Sequence, residues 1–125
     1  MSQILIAEDE TMLRAIAVEM LEDAGFSVFQ AGDGEEAVDM LERHHSLDLL
    51  LTDVHLPGRF NGVDVALYAR ARHPDLPVVF ATGRPETLKS FGKLGLREVC
   101  LAKPFSPIEA LTVVERLLQV QPESH

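Results

Sequence analysis

The stretch Leu47–Asp53, LDLLLTD in one-letter code, is an apolar run that ends in a carboxylate. The residues that follow it, Val54–Gly58, contain a proline and a glycine and indicate a turn. A short apolar run bounded by turn residues is typical of a parallel strand that is buried on both faces. Because ligands of open parallel sheets bind outside the carboxyl ends of the strands, Asp53 is predicted to face a binding site.

Four further apolar segments occur along the chain, and turn or helix signals separate them. Strands are predicted over Gln3–Ala7, Phe26–Gln30, Leu76–Ala81 and Val99–Ala102. Helices are predicted over Thr11–Ala24, after Gly32-Asp33-Gly34, over about Val63–Arg72, from Pro85 and from Pro107. This alternation favours a parallel sheet with helices on both faces, because each right-handed crossover must cover the sheet.

Three of the predicted helices have distinct signals at their ends. Gly25 is predicted to end the first helix, since glycine adopts the left-handed conformation that commonly follows a last turn. Ser106 and Glu109 match a capping box at the start of the last helix. Two glycines weaken the far end of the helix from Pro85, which we expect to be short or mobile.

Composition limits the classes of protein to which the chain can belong. Its 125 residues suffice for one domain with a genuine core. A net charge of −9, from 20 acidic and 11 basic residues, argues against direct binding to nucleic acid. The single cysteine excludes an internal disulfide and fits a reducing cytoplasm. With no leader and no long apolar run in the sequence, we expect a soluble protein without export signals.

Reactive or polar residues stand at the ends of four predicted strands, namely Glu8 and Asp9, Asp53, Thr82 and Lys103. Three converging carboxylates repel one another unless a cation binds, and magnesium prefers one or two carboxylates together with phosphate and water. The hydroxyl of Thr82 and the ammonium of Lys103 suit the oxygens of a phosphoryl group. Asp53 is then the natural nucleophile, because a carboxylate can carry a phosphoryl group as an acyl phosphate.

These residues resemble the receiver domain of two-component response regulators over essentially the whole chain. The matching features are the acidic pair Glu8-Asp9, Asp53 after the third strand, Pro57 and Gly62 in the next loop, Thr82-Gly83 and Lys103-Pro104-Phe105. Each motif alone is common, but five in this order and spacing are highly specific. The resemblance implies a flavodoxin-like, doubly wound α/β fold with strand order 2-1-3-4-5 and five helices. Residues 1–121 would form this domain, followed by a frayed tail at 122–125.

The resemblance also implies a function and a role for each site residue. Asp53 would accept phosphate from a histidine kinase or a histidine phosphotransfer protein. Asp9 would bind Mg²⁺ directly, Glu8 largely through water, and the backbone carbonyl of His55 would complete the coordination. Thr82 and Lys103 would contact the phosphoryl oxygens. The Lys103-Pro104 peptide bond is expected to be cis. Without an attached output domain, the protein would signal from the cytoplasm through an unknown output protein, as a monomer or weak dimer.

The sequence departs from the family pattern in three places. Cys100 replaces the aromatic residue that usually acts as a rotating switch, and we interpret it as a small core residue of a buried strand. The spacing from Asp53 to Gly62 is one residue longer than the commonest receiver spacing, so the loop is expected to bulge near the site. Residues 80–83 resemble a subgroup of single-domain receivers, from which Arg84 departs.

Three other functions are weighed against this interpretation. An aspartyl-phosphate hydrolase usually has a second acid two residues after the nucleophile, where this chain has His55. A flavodoxin-like electron carrier needs a phosphate loop after the first strand, and the acidic run Glu8–Glu10 would repel that ligand. A receiver from a hybrid kinase would share every motif and therefore stays open.

Overall fold

The computed structural model describes residues 2–44, 46–84 and 98–119. Its elements in chain order are β1 (Gln3–Ala7), α1 (Thr11–Asp23), β2 (Ser27–Ala31), α2 (Gly34–Arg43), β3 (Leu49–Asp53), α3 (Gly62–Arg72), β4 (Val78–Thr82), β5 (Glu98–Ala102) and α4 (Pro107–Gln119). The helix predicted from Pro85 and the tail at 122–125 lie outside the described residues. The four helices α1 to α4 are therefore those of the described ranges.

The five strands form one parallel sheet in the order β2-β1-β3-β4-β5, which confirms the predicted topology. The carboxyl ends of adjacent strands lie at nearly the same level in the sheet. Ala7 pairs with Thr52, Asp53 with Ala81, and Thr82 with Ala102. Residues that follow different strands in the sequence are therefore brought to the same edge of the sheet.

Side chains alternate between the two faces of the sheet and produce two cores. On one face, Leu5 of β1 and Leu50 of β3 pack with residues of α2 and α3. On the other face, Ile4 of β1 and Leu51 of β3 pack with residues of α1 and α4. All five residues of β3 are buried, as expected for a central parallel strand. This arrangement holds the end of β3 rigidly between two layers of helices.

Two helix boundaries have the geometry that local sequence predicts, and a third has a cap that was not predicted. Gly25, at φ 99°, follows α1, and the amides of Gly25 and Phe26 donate to the last carbonyls of the helix. Ser106 and Glu109 donate and accept reciprocally at the start of α4, which confirms the capping box. Asn61 caps α3 in the same reciprocal way. At each of these helix ends, a capping side chain or a glycine turn therefore satisfies backbone groups that have no partner within the helix.

The interpretation of Cys100 as a core residue is wrong. Its side chain is exposed, although it lies within β5. Among the described strands β5 is an edge strand that pairs with β4 alone. Leu101, the next residue of β5, is buried on the α1 and α4 side of the sheet, and Cys100 lies on the other face. The apolar character of a short run does not reveal whether its strand is central or at an edge.

Of the described helices, none is long and apolar enough to cross a bilayer.

Candidate functional site

Lys103 joins the ends of β1 and β3 at the carboxyl edge of the sheet. Its Nζ atom lies 2.8 Å from Oε1 of Glu8 and 2.8 Å from Oδ2 of Asp53. Both carboxylates are buried, with only 7% of Glu8 and 8% of Asp53 exposed. Charges taken out of water are tolerated when they are paired and hydrogen-bonded. The sequence suggested carboxylates that repel one another without a cation, and the structure shows that Lys103 itself neutralises part of this charge.

The backbone around Lys103 explains why its side chain reaches these two acids. The amide of Lys103 donates to the carbonyl of Thr82 at 2.8 Å, so the chain after β5 continues beside the end of β4. The Lys103-Pro104 peptide bond is cis, as predicted. In the same way, the amide of Glu8 donates to the carbonyl of Ala31 at the end of β2, at 3.0 Å. The chain after β5 and the chain after β1 are therefore each fixed to a neighbouring strand end by a backbone hydrogen bond.

The environment of Lys103 changes its titration. Burial lowers its pKa, but hydrogen bonds to Asp53 and Glu8, together with the negative charges of these carboxylates, more than offset that effect. The net result is a pKa above the ordinary value of 10.5. Lys103 therefore carries a full positive charge at neutral pH, as the counter-charge of two buried acids requires.

Asp9 completes an acidic cluster with Glu8 and Asp53. One carboxylate oxygen from each of the three residues lies within 4.8 Å of the other two, and Asp9 is exposed while its two neighbours are buried. Hard oxygen ligands at this spacing suit a divalent cation such as Mg²⁺, which also keeps several waters. The exposed carboxylate of Asp9 leaves one side of the cluster open to those waters. These residues therefore fit the predicted metal.

The segment after Asp53 folds back onto the strand end. The amide of His55 donates to Oδ1 of Asp53 at 3.2 Å, and the amide of Gly62 donates to the carbonyl of Val54 at 2.8 Å. A Cβ atom on residue 62 would lie 1.8 Å from the carbonyl oxygen of Asp53, so only glycine fits there. The two carboxylate oxygens of Asp53 are thus held by different groups, Oδ1 by His55 and Oδ2 by Lys103.

Thr82 lies at the end of β4, one residue beyond the partner of Asp53 in the sheet. Its side chain is buried, and its hydroxyl accepts the amide of Arg84 at 3.0 Å. The structure thus brings Glu8, Asp9, Asp53 and Lys103 into one cluster and places Thr82 on the adjoining strand end. A metal-binding role for the carbonyl of His55 stays a prediction.

Arg14 is a site residue that sequence reasoning missed. Its guanidinium donates to the backbone carbonyl of Glu8 at 2.7 Å and to Oε1 of Gln30 at 3.1 Å. It therefore ties the end of β1 to β2 from the first turns of α1. A cation near a helix N-terminus is unfavourable for the helix dipole, and this local mismatch was the one sequence signal that Arg14 bonds to groups outside its own helix.

A cavity of about 410 Å³ adjoins the cluster between α1 and the segment after β5. Its polar lining includes Glu8, Asp53 and Lys103, and its apolar wall includes Leu13 and Ile16 of α1. Both apolar side chains are also exposed at the surface. The site can therefore be approached past an apolar helix face.

Known proteins share this sequence and architecture. The family described as response regulator receiver domain matches residues 4–115. The chain is 37% identical over 122 residues to the transcriptional regulatory protein CpxR of Escherichia coli (strain K12), covering 95% of this chain and 50% of CpxR. It is 31% identical over 124 residues to the sensor kinase CckA of Brucella abortus (strain 2308), covering 94% of this chain and 13% of the kinase. The chain spans about half the length of the first of these relatives.

The fold is similar to solved receiver structures as well. The response regulator receiver protein from Sinorhizobium medicae WSM419 superposes with a TM-score of 0.88 at 30% identity, and the match covers 97% of both chains. Receiver domains of two-component systems are signalling switches. By the match over residues 4–115, the shared strand order and the relatives at more than 30% identity, this chain belongs to the response regulator receiver domain family.

Proposed function

We propose that this chain is the phosphoacceptor of a two-component phosphorelay and that Asp53 receives the phosphoryl group. The observation that carries this proposal is the double contact of Lys103 with Glu8 and Asp53 at the carboxyl edge of the sheet, with both distances at 2.8 Å. A buried carboxylate that is held by a lysine and opens onto a cavity is a nucleophile in a charge-stabilised setting.

The donor is a histidine kinase or a histidine phosphotransfer protein. One oxygen of the Asp53 carboxylate attacks phosphorus, the bond between phosphorus and the donor's imidazole nitrogen breaks, and the leaving nitrogen takes up a proton from solvent. The product is an acyl phosphate on Asp53 and a neutral histidine on the donor. The apolar wall of Leu13 and Ile16 beside the cavity supports a protein donor, because it offers surface that a partner helix can cover.

The same residues provide charge stabilisation for the transfer. Glu8, Asp9 and Asp53, with the backbone carbonyl of His55, would hold Mg²⁺. Bound there, the ion supplies positive charge that offsets the negative charge of the phosphoryl oxygens. Lys103 contributes a second positive charge, and the hydroxyl of Thr82 donates a hydrogen bond to a phosphoryl oxygen.

We assign the output to contact with another protein and not to chemistry on a further substrate. A net charge of −9 disfavours direct contact with nucleic acid, so DNA would be reached only through a partner or another domain. We also place this activity in the cytoplasm, which the single free cysteine supports. A receiver within a larger kinase would use the same Asp53 chemistry, and the similarity to CckA supports that second arrangement.

The test is phosphorylation with a small phosphodonor such as acetyl phosphate in the presence of Mg²⁺. We expect the intact mass of the wild-type chain to rise by one phosphoryl group and that of Asp53→Asn to stay unchanged. Asp48→Asn is a matched control, since Asp48 is an exposed carboxylate just before β3, and it should label like the wild type. Equal labelling of wild type and Asp53→Asn would refute the assignment. A phosphotransfer profile against the histidine kinases of the source organism would then identify the donor.

A further inference from the structure

The loop between Asp53 and α3 is held against the first turn of α2. The amide of Arg59 donates to Oε2 of Glu35 at 3.1 Å. The preceding residue, Gly58, has φ 91°, and a Cβ atom there would lie 2.4 Å from Oε1 of the same carboxylate. The carboxylate of Glu35 therefore occupies the space that a side chain on residue 58 would need. The absence of a side chain lets the loop reach the helix.

A second close contact lies two residues further along the loop. A Cβ atom on Gly34 would lie 2.0 Å from the carbonyl oxygen of Phe60, so the loop backbone rests directly on the start of α2. The side chain of Phe60 packs against the core on the α2 and α3 side of the sheet. The loop is thus seated by its backbone at Gly34 and by its aromatic ring in the core, and Glu35 holds the portion nearer to Asp53.

The other end of the loop is attached to the site itself. Gly62 donates to the carbonyl of Val54 at 2.8 Å, and the amide of His55 donates to Oδ1 of Asp53 at 3.2 Å. His55 is exposed and lies between these anchors and the contact made by Glu35. Its backbone carbonyl is the proposed metal ligand that belongs to the loop after β3. The position of this carbonyl therefore depends on what holds the loop.

We propose that Glu35 is a positioning residue for the loop that follows Asp53. Glu35 accepts a hydrogen bond from the amide of Arg59 and so holds residues 58–60 on α2. This contact keeps the carbonyl of His55 in a position to bind a divalent cation in the acidic cluster. A loop that is already ordered gives up less conformational entropy when the cation binds. This inference rests on the proposed function, since it concerns the same metal site. It extends that site to a residue of α2 that touches neither metal nor phosphoryl group.

The experiment compares Mg²⁺ affinity in four proteins by calorimetry and amide chemical shifts, without phosphodonor. Glu35→Ala should weaken Mg²⁺ binding by about tenfold, the lower end of the loss seen when groups that orient ligands are removed. Glu35→Gln retains an oxygen acceptor for the amide of Arg59 and should bind Mg²⁺ nearly as the wild type does. Asp39→Ala removes an exposed carboxylate from the same helix and serves as the matched control. Without metal, the amide of Arg59 should exchange its hydrogen faster in Glu35→Ala alone.

Gly58→Ala provides an independent variant. Its φ of 91° disfavours alanine, and the new methyl group would displace the Glu35 carboxylate, so it should weaken Mg²⁺ binding as Glu35→Ala does. Wild-type affinity in either Glu35→Ala or Gly58→Ala would overturn the proposal. Glu35→Gln as weak as Glu35→Ala would also overturn it, because charge and not the hydrogen bond would be responsible. If instead Asp9→Ala binds Mg²⁺ like the wild type, the acidic cluster is not the metal site and the proposed function fails separately.

Discussion

Lys103 and Asp53, 50 residues apart in the sequence, are joined by a 2.8 Å contact between Nζ and Oδ2. The same ammonium binds Glu8, so one cation serves two buried acids from different strands. A phosphoryl group on Asp53 would bring new negative oxygens to this point, and Lys103 would then contact them in place of a carboxylate oxygen. The lysine therefore supports both the folded state and the proposed chemistry.

Replacing Lys103 should reduce stability. Lys103→Met keeps much of the apolar stem but leaves Glu8 and Asp53 buried without their counter-charge. Hydrogen bonds to charged groups are worth roughly 1.5–3 kcal/mol, and partial exposure of Lys103 favours a loss of about 2 kcal/mol in the free energy of unfolding. Urea unfolding without metal measures this loss in the free energy of unfolding. Arg43→Met, which breaks an exposed pair with Asp39, should change stability little, and an equal loss in both variants would contradict the prediction.

The stability difference between wild type and Lys103→Met should also depend on pH. Although burial lowers the pKa of Lys103, its contacts with Asp53 and Glu8 raise it overall above 10.5, the value expected in the unfolded chain. The stabilisation from the charged lysine is therefore complete below pH 10.5 and is lost as pH rises through the higher folded-state pKa. The stability difference between wild type and Lys103→Met should stay constant from neutral to moderately alkaline pH and shrink beyond it. A difference that grows there would reverse the sign and refute this account.

Mg²⁺ should stabilise the folded chain through the acidic cluster. A cation that binds only the folded form adds about 2.7 kcal/mol at a hundredfold excess over its dissociation constant. Thermal unfolding with and without Mg²⁺ should show this rise in the wild type and lose most of it in Asp9→Ala. Asp23→Ala, at the exposed end of α1, should respond as the wild type does. An unchanged response in Asp9→Ala would mean that the cation binds elsewhere.

Cys100 should react with alkylating reagents in the native protein. Its side chain is exposed on the edge strand, but partial burial of the sulfur raises the pKa of its thiol. Only the thiolate is nucleophilic, so modification by iodoacetamide should be slow at neutral pH, accelerate as pH rises, and reach completion without denaturant. Intact mass against time gives the rate. Protection that is lost only on adding urea would mean that the thiol is buried after all.

Signal relay should begin at Thr82 and not at Cys100. The hydroxyl of Thr82 accepts the amide of Arg84, so a hydroxyl that turns toward a phosphoryl group must alter that hydrogen bond. With beryllofluoride as a phosphoryl mimic, amide shifts should change strongly at Thr82 and Arg84. We expect the other large changes within residues 82–95, most of which lie outside the described ranges. Cys100→Ser should leave this pattern intact, and its abolition by that variant would assign the relay to β5.

Local sequence determined the elements and the polar residues at their ends. The apolar run before Asp53 predicted a buried strand, and β3 is buried along its whole length. Ser106 and Glu109 predicted the start of α4, because a capping box joins residues three apart. Such patterns need no knowledge of distant chain segments. The strand order, by contrast, came from the resemblance to receiver domains and was confirmed by the sheet.

Tertiary structure alone decided which distant groups meet. Three contacts join separate elements of the fold. They are the contact of Lys103 with two acids, the hydrogen bond from Arg14 to the carbonyl of Glu8, and the hydrogen bond from the amide of Arg59 to Glu35. The tertiary structure likewise decided the exposure of Cys100, because the apolar run Val99–Ala102 does not encode what packs against either face of its strand. Periodicity and turn chemistry act over a few residues, whereas the distances between side chains at the sheet edge depend on register, twist and packing of the whole sheet.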